Sequence, residues 1–349
     1  MKKKVLITGS SGVLGKNLVE YLEAGYSDLY ELVLFDIAQD MRLYSRFKAY
    51  SGDIRNRGEV NRIIKGIDIV VHCASASPSY QEKEIYDIII NGTANLLECA
   101  FSRGNVERFI YISSTSVYGV PEKVPVYESD EVKPYDAYNK GKIEAEKICG
   151  QWRKRGKCVS ILRPRSFIGP QRLGTFGILY EWASEGRGFP MLGSGNNKYQ
   201  LLAVEDLCQA IYLAMSAERE KANDLFNIGA AEFSTIKEDY QAVLDEAGYK
   251  RKIICLPALP MLAALNILEK LKLSPFYKRL YMKLNRDYYV SIDKAREKLG
   301  YSPLYSNREA LIRNYHWYLE NAGKRDYKAG AGNNAVWNRG IVKYAKYFF

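Results

Sequence analysis

Histidine, paired cysteine and long apolar runs are scarce in this chain, and each scarcity closes a class of function. Two histidines and six cysteines (Cys73, Cys99, Cys149, Cys158, Cys208, Cys255) are scattered through 349 residues with no Cys-x-x-Cys. Such spacing supports neither a disulfide framework nor a zinc site, and it points to a reducing cytoplasm. The most apolar stretch, Ile253 to Leu273, is interrupted by Pro257, Pro260 and Asn266 and closed by Glu269, Lys270 and Lys272. It falls short of the roughly 20 residues a membrane span requires. It reads as a helix lining or covering a substrate lobe, with an interfacial membrane contact as the alternative. The start, Met1 to Ile7, has the charged head of a signal peptide, but its apolar run stops at Thr8-Gly9 and a first β-strand explains it better. No internal repeat is visible.

A continuous basic face is missing too, despite a net charge of +11. Lys2, Lys3 and Lys4 supply three of these charges and the tail from Gly323 a net five, which leaves three for the body. Nucleic-acid binding needs a basic surface rather than basic ends, so that class is set aside. The tail itself mixes Trp337, Tyr344, Tyr347, Phe348 and Phe349 with Arg339, Lys343 and Lys346. It reads as disordered or packed onto the body, and contact with a membrane surface or a partner is the other reading.

What the chain does have is a hydrophobic content of 47%, enough for one large or two medium domains, and a βαβ rhythm. Strands are expected at Lys4 to Thr8, Leu32 to Phe35, Ile67 to His72, Phe109 to Ile112, Val159 to Leu162 and Leu225 to Ile228. Helices are expected at Gly12 to Glu23, Asn91 to Phe101, Tyr138 to Cys149 and Val204 to Met215. The fold implied is α/β, a doubly wound parallel sheet of the Rossmann kind with a smaller, interleaved α/β substrate domain. The boundaries expected are 1–170 for the dinucleotide domain, with 201–230 returning to it, 171–322 for the substrate domain and 323–349 for the tail.

Thr8-Gly9-Ser10-Ser11-Gly12-Val13-Leu14-Gly15 lies between the first strand and the first helix. Its three glycines allow a tight turn, a close approach of backbone to a pyrophosphate and close packing of helix on sheet. The helix N-terminus there presents free N–H groups to phosphate. Asp36 follows Gly15 by 21 residues, at the end of the second strand, where a carboxylate accepts from both ribose hydroxyls and repels a 2′-phosphate. NAD is therefore expected over NADP, although Arg42 and Arg46 nearby pull the other way. Asp53 is placed to accept from the adenine amino group.

Tyr138 and Lys142 stand one helical turn apart and share a face. A free phenol ionises near pH 10, and a neighbouring ammonium together with a cationic nicotinamide would lower that value. With 28 tyrosines a Tyr-x-x-x-Lys arises easily by chance, but this one follows a hydroxyl-rich strand end, Ser113 to Gly119, by about 24 residues.

These residues resemble the extended short-chain dehydrogenase/reductases of the NAD-dependent epimerase/dehydratase family. The resemblance runs from Lys4 to about Asn321. It includes Gly52-Asp53-Ile54-Arg55, His72-Cys73-Ala74-Ser75, Asn91-Gly92-Thr93, Arg163-Pro164, Ile168-Gly169-Pro170, Asp293-Lys294-Ala295 and Leu299-Gly300-Tyr301. It implies Tyr138 as the base, Ser114 as the hydroxyl that holds the same substrate oxygen and Lys142 as their support. Ile54, Ala74, Ser75, Asn91 and Pro164 would line the cofactor. Ser113 and Thr115 read as support, and His72 as a strand residue. The family's dehydratases carry an acidic pair where this chain has Thr115 and Ser116, which argues against β-elimination of water. Its epimerases carry an arginine where this chain has Tyr199. A substrate diphosphate would then need Lys198, Arg172, Arg279 or Arg286, with Arg165, Ser114, Thr115, Ser116 and Tyr199 around the sugar. The leading expectation is an NAD-dependent nucleoside-diphosphate-sugar epimerase, and family habit implies a homodimer. The alternatives are a 3β-hydroxysteroid-dehydrogenase-like oxidoreductase on a hydrophobic alcohol or ketone, and a non-catalytic NAD-sensing protein.

Overall fold

The computed structural model describes residues 2–38, 40, 43, 45–174, 176–257 and 286–322. The expectations for Arg42, Arg279, residues 258–273 and the tail 323–349 lie outside the described residues. Seven parallel strands form the main sheet: β1 (Lys3–Thr8), β2 (Tyr30–Asp36), β3 (Lys48–Ser51), β4 (Ile69–His72), β5 (Arg108–Ile112), β6 (Cys158–Pro164) and, after three short strands elsewhere, β10 (Leu225–Ile228). Their order is β10-β6-β5-β4-β1-β2-β3. The three other strands before β10 are β7 (Phe167–Ile168), β8 (Phe189–Leu192) and β9 (Leu202–Ala203), and β11 (Ile253–Leu256) follows it. Strand order reverses between β1 and β4, which opens a crevice at the carboxyl edge of the sheet.

The two faces of the sheet follow from alternation along each strand. Val5, Ile7, Leu32, Leu34, Ile69, Val71 and Ile110 face one way, into a core with α1 (Val13–Tyr26). Leu6, Val33, Phe35, Val70, Phe109 and Tyr111 face the other way. That second core receives α2 (Arg57–Ile63), a long helical stretch α3 (82–103) and α4 (Ala137–Lys154). Two segments of α3, Asp87–Asn91 and Cys99–Arg103, are wound as π-helix. The third core gathers α5 (Phe176–Ser184), β8, α8 (Ile236–Glu246) and α10 (Asn307–Asn321), while α6 (Val204–Ser216) lies on the first face beside α1. Between them run α7 (Arg219–Ala222) and α9 (Asp293–Leu299).

The start of the apolar stretch differs from its helical reading. Ile253, Ile254, Cys255 and Leu256 form β11, paired in parallel with β8. Two adjacent β-branched residues and a single buried side chain at Ile253 suit an edge strand better than a helix.

Candidate active site

Because the strands are parallel, their carboxyl ends arrive in a row: Pro164 from β6, the Ser113–Ser114 loop after β5, Cys73–Ala74 after β4, Gly9 after β1 and Asp36 at the end of β2. The glycines earn their positions sterically. Gly9 has φ +70°, and a Cβ there would lie 2.5 Å from the Ala74 nitrogen. A Cβ on Gly15 would overlap the Gly9 carbonyl, whereas one on Gly12 would meet only that oxygen, at 3.1 Å. The backbone at Gly12 is thus the open side of the turn. It caps α1 with no side-chain hydrogen bond, and the first turn of α1, from Val13 and Leu14, contains no acid. An uncapped, acid-free helix start beside an open glycine fits a dinucleotide pyrophosphate.

Asp36 closes the far end of this cradle. One of its carboxylate oxygens accepts the Ser11 N–H at 2.9 Å and the other the Ala38 N–H at 3.0 Å. Burial pushes its pKa up, and those backbone bonds together with Lys16 pull it back. Lys16 itself pairs with Asp40 at 2.6 Å. Ile37, next to Asp36, is 69% exposed, an apolar surface that a flat aromatic base could cover. Arg46, read as a weak pull towards NADP, is paired with Glu23.

Asp53 is more committed than its sequence suggests. Both its oxygens receive the Arg55 guanidinium, which holds its pKa down, and Arg55 reaches on to Asp87 at 3.1 Å. The Asn91 amide donates to Asp87 at 2.9 Å from the end of the first π-segment, and the Ile54 carbonyl accepts from Asn95 at 2.7 Å. Ala74 and Ser75 follow β4 directly, at the crevice. His72 is a buried strand residue held between Thr8 at 2.8 Å and Thr93 at 3.0 Å. Burial pushes its pKa down to about 3, so the ring is neutral.

Tyr138 and Lys142 sit in the first turns of α4, whose start is fixed by Asp136 accepting the Asn139 N–H at 2.8 Å. The Lys142 ammonium is buried and donates to the Ile112 carbonyl at 2.7 Å. It lies 4.9 Å from the centre of the Tyr111 ring and 5.8 Å from that of Tyr138. Burial lowers its pKa to about 8, against the pull of Glu146, Cys73 and Cys149. Ser114, half-buried at the end of the same strand, accepts from the Ser116 N–H at 3.2 Å and the Ser116 hydroxyl at 2.9 Å. Ser113 donates to Glu146 and Thr115 to the Pro164 carbonyl, so both are struts of the loop.

Glu146 was not among the residues singled out in the sequence. It joins Arg163 in a buried ion pair, and Arg163 donates on to the Tyr118 hydroxyl at 2.7 Å. The signal for it was its place one turn beyond Lys142 on the same helix face. Tyr111, which faces Lys142, gave no signal at all.

The basic residues assigned to a substrate lie in three places. Arg165 is 2% exposed and its guanidinium is occupied: it donates to the Gln200 carbonyl at 2.9 Å and the Tyr288 carbonyl at 3.0 Å, between the rings of Tyr199 and Tyr288. Those bonds make it a brace between the end of β6 and the segments that carry Gln200 and Tyr288. Lys198 and Arg286 lie together where 197–199 meets 286–288, and Lys198 exerts its charge on Glu238 of α8. Arg172 is the cation whose charge interacts with Tyr138. Among the described residues no group of side chains could hold a metal ion, and no helix is long and apolar enough to cross a membrane.

Residues 5–229 match the model of the NAD dependent epimerase/dehydratase family. The chain is 34% identical to "Uncharacterized protein y4nG" of Sinorhizobium fredii, over 95% of its own length and 83% of that protein. It is 28% identical to the mouse sterol-4-alpha-carboxylate 3-dehydrogenase, decarboxylating, over 89% of this chain and 90% of that one. The crystal structure of UDP-glucose 4-epimerase from Thermotoga maritima with UDP-glucose superposes with a TM-score of 0.75 at 24% identity, covering 91% of this chain and 99% of that one. With its glycine turn, its sheet order and these matches, the chain belongs to the NAD-dependent epimerase/dehydratase family of extended short-chain dehydrogenase/reductases.

Proposed function

We propose that the chain is an NAD-dependent epimerase that oxidises a secondary alcohol on a nucleoside-diphosphate sugar and returns it with inverted configuration through a keto intermediate. The observation that carries this is the Lys142 ammonium, buried and tied to the end of β5, facing the ring of Tyr138 beside the crevice. The turn from Gly9 to Gly15, with Ser11, Val13 and Leu14, would hold the pyrophosphate, and Asp36 the adenosine ribose. Ile54, Ala74, Ser75, Asn91 and Pro164 would line the remainder. Asp53 would serve adenine only with the oxygen lone pairs that Arg55 leaves free.

Tyr138 takes the proton of the substrate hydroxyl as its carbon is oxidised, and gives it back when the ketone is reduced. Ser114 holds the same oxygen, its orientation set by Ser116. Lys142 favours the phenolate by charge. The chemistry supplied by bound NAD is reversible acceptance of a hydride from the carbon that carries the hydroxyl. Thr115 and Ser116 offer no acid or base for loss of water, so the reaction ends with an alcohol. The working form we assign is a cytoplasmic homodimer joined through the Tyr138 helix.

A second reading, a dehydrogenase of a hydrophobic alcohol, draws on two observations: Tyr199 stands where epimerases of the family carry arginine, and the mouse sterol dehydrogenase aligns over most of both chains. One experiment separates the two. The purified protein is incubated with UDP-glucose, UDP-galactose and their N-acetyl forms, and with 3β-hydroxysteroids, while sugar configuration is followed by NMR and NADH by absorbance. Epimerised sugar with no net NADH supports the proposal; steady NADH from a steroid and untouched sugars would replace it with the second reading.

A further inference from the structure

Four described cations around the crevice have protein partners. Lys142 is held by the Ile112 carbonyl, Arg163 by Glu146, Arg165 by two carbonyls and Lys16 by Asp40. Arg172 differs. Among the described residues its guanidinium meets no carboxylate and no hydrogen-bond acceptor, only the face of Phe167, 3.8 Å from the ring centre. It is partly buried, and desolvation is the main influence on its pKa, which falls to about 10 and leaves it charged at neutral pH.

The backbone beneath it is fixed from three sides. Residues 169–172 form a tight turn in which the Arg172 N–H donates to the Gly169 carbonyl at 3.0 Å, and Gln171 sits at a φ of +66°, unusual for a residue with a side chain. Asn17 of α1 donates to the Pro170 carbonyl at 3.3 Å, and Asn314 of α10 donates to the Arg172 carbonyl at 3.2 Å. The turn comes a few residues after the carboxyl end of β6, the edge that also carries the Ser114 loop, and the Arg172 charge acts on Tyr138. A partly desolvated guanidinium on a rigid turn, stacked on one face, lacks a counter-anion among the described residues.

From this we infer that Arg172 is the anion seat of the substrate pocket and pairs with a phosphate oxygen of the substrate's diphosphate. The inference rests on the epimerase reading for the position of the substrate beside Tyr138, and it supplies the charge that Tyr199 does not. The diphosphate on the anomeric oxygen is the substrate's own anion, and a guanidinium with no acceptor among the described residues is a group it can pair with. The cofactor's own pyrophosphate offers the same chemistry, and the test distinguishes the two sources.

Binding of UDP, GDP and inorganic pyrophosphate to the full-length protein saturated with NAD is measured by calorimetry for wild type, Arg172→Gln and Arg172→Lys, with NAD binding measured separately. At least one probe binds the wild type, and Arg172→Gln weakens it roughly 10–100-fold, the cost of a lost charge-assisted bond, while NAD binding is unchanged. Arg172→Lys keeps the charge but loses the planar fork, and weakens the same probe by a smaller factor of about 3 or more. This variant carries the test if Arg172→Gln does not fold. Failure of all three probes to bind the wild type, or equal binding by wild type and the variants, overturns the inference. A loss confined to NAD overturns it too, by assigning the guanidinium to the cofactor. None of these readouts needs turnover. A protein that binds UDP through Arg172 yet yields net NADH keeps the anion seat and loses the epimerase, and an epimerase indifferent to Arg172 does the reverse.

Discussion

Lys142 is a lysine placed where its charge is costly, and the cost sets a pH limit. Burial brings its pKa down to about 8, so the ammonium prevails below that pH and the neutral amine above it. Because only the ammonium favours the Tyr138 phenolate, kcat/KM should fall as pH rises through about 8; a profile flat to well above that value would count against the role. Asp36 makes a prediction about cofactor choice. Asp36→Ala removes a partly buried carboxylate at the ribose end of the cradle, and should weaken NAD about tenfold or more while affecting NADP far less. Titration of each cofactor by fluorescence quenching checks this, and equal losses would contradict the ribose assignment. At this scale the glycine turn and the Tyr138–Lys142 spacing are legible as local patterns, whereas the contacts that hold them, Gly9 against Ala74 and Lys142 on the Ile112 carbonyl, are made with distant residues. The bonds of Arg165 were not legible, because they end on carbonyls of Gln200 and Tyr288 that no local pattern announces.

At the scale of elements, helix α1 meets strand β1 so closely at Gly15 that any side chain there collides with backbone. Gly15→Ala should destabilise the protein by about 1–3 kcal/mol, the usual range for overpacking, and denaturant midpoints would register it. Helix α4 is fastened to the sheet by the Glu146–Arg163 pair, whose side chains are 8% and 6% exposed. Glu146→Gln leaves a buried guanidinium uncompensated, so a loss of about 3–5 kcal/mol is expected by the same measurement. A loss below 1 kcal/mol would show that the pair is not holding the helix. This fastening was not legible in the sequence, since Ser113 is 33 residues from Glu146 and Arg163 is 17 away. The strands were legible when apolar and buried on both faces. Strand β3, Lys-Ala-Tyr-Ser at the sheet edge, has no such run and went unread.

For the molecule as a whole, one crevice unites the account. The reversal of strand order between β1 and β4 brings the glycine turn, Asp36, Ser114 and Tyr138 to the same edge, and the βαβ rhythm in the sequence already implied that arrangement. What it could not convey is how 169–172 is clamped between α1 and α10, contacts made across 153 and 142 residues. The measurement that bears most directly on the account is turnover and NAD binding by Tyr138→Phe, assayed on the substrate the wild type converts. Loss of the phenolic oxygen should reduce turnover to background, with NAD affinity within about twofold of wild type, because the cradle lies on other elements. Turnover retained at more than a few per cent of wild type would contradict the assignment of Tyr138 as the group that moves the proton.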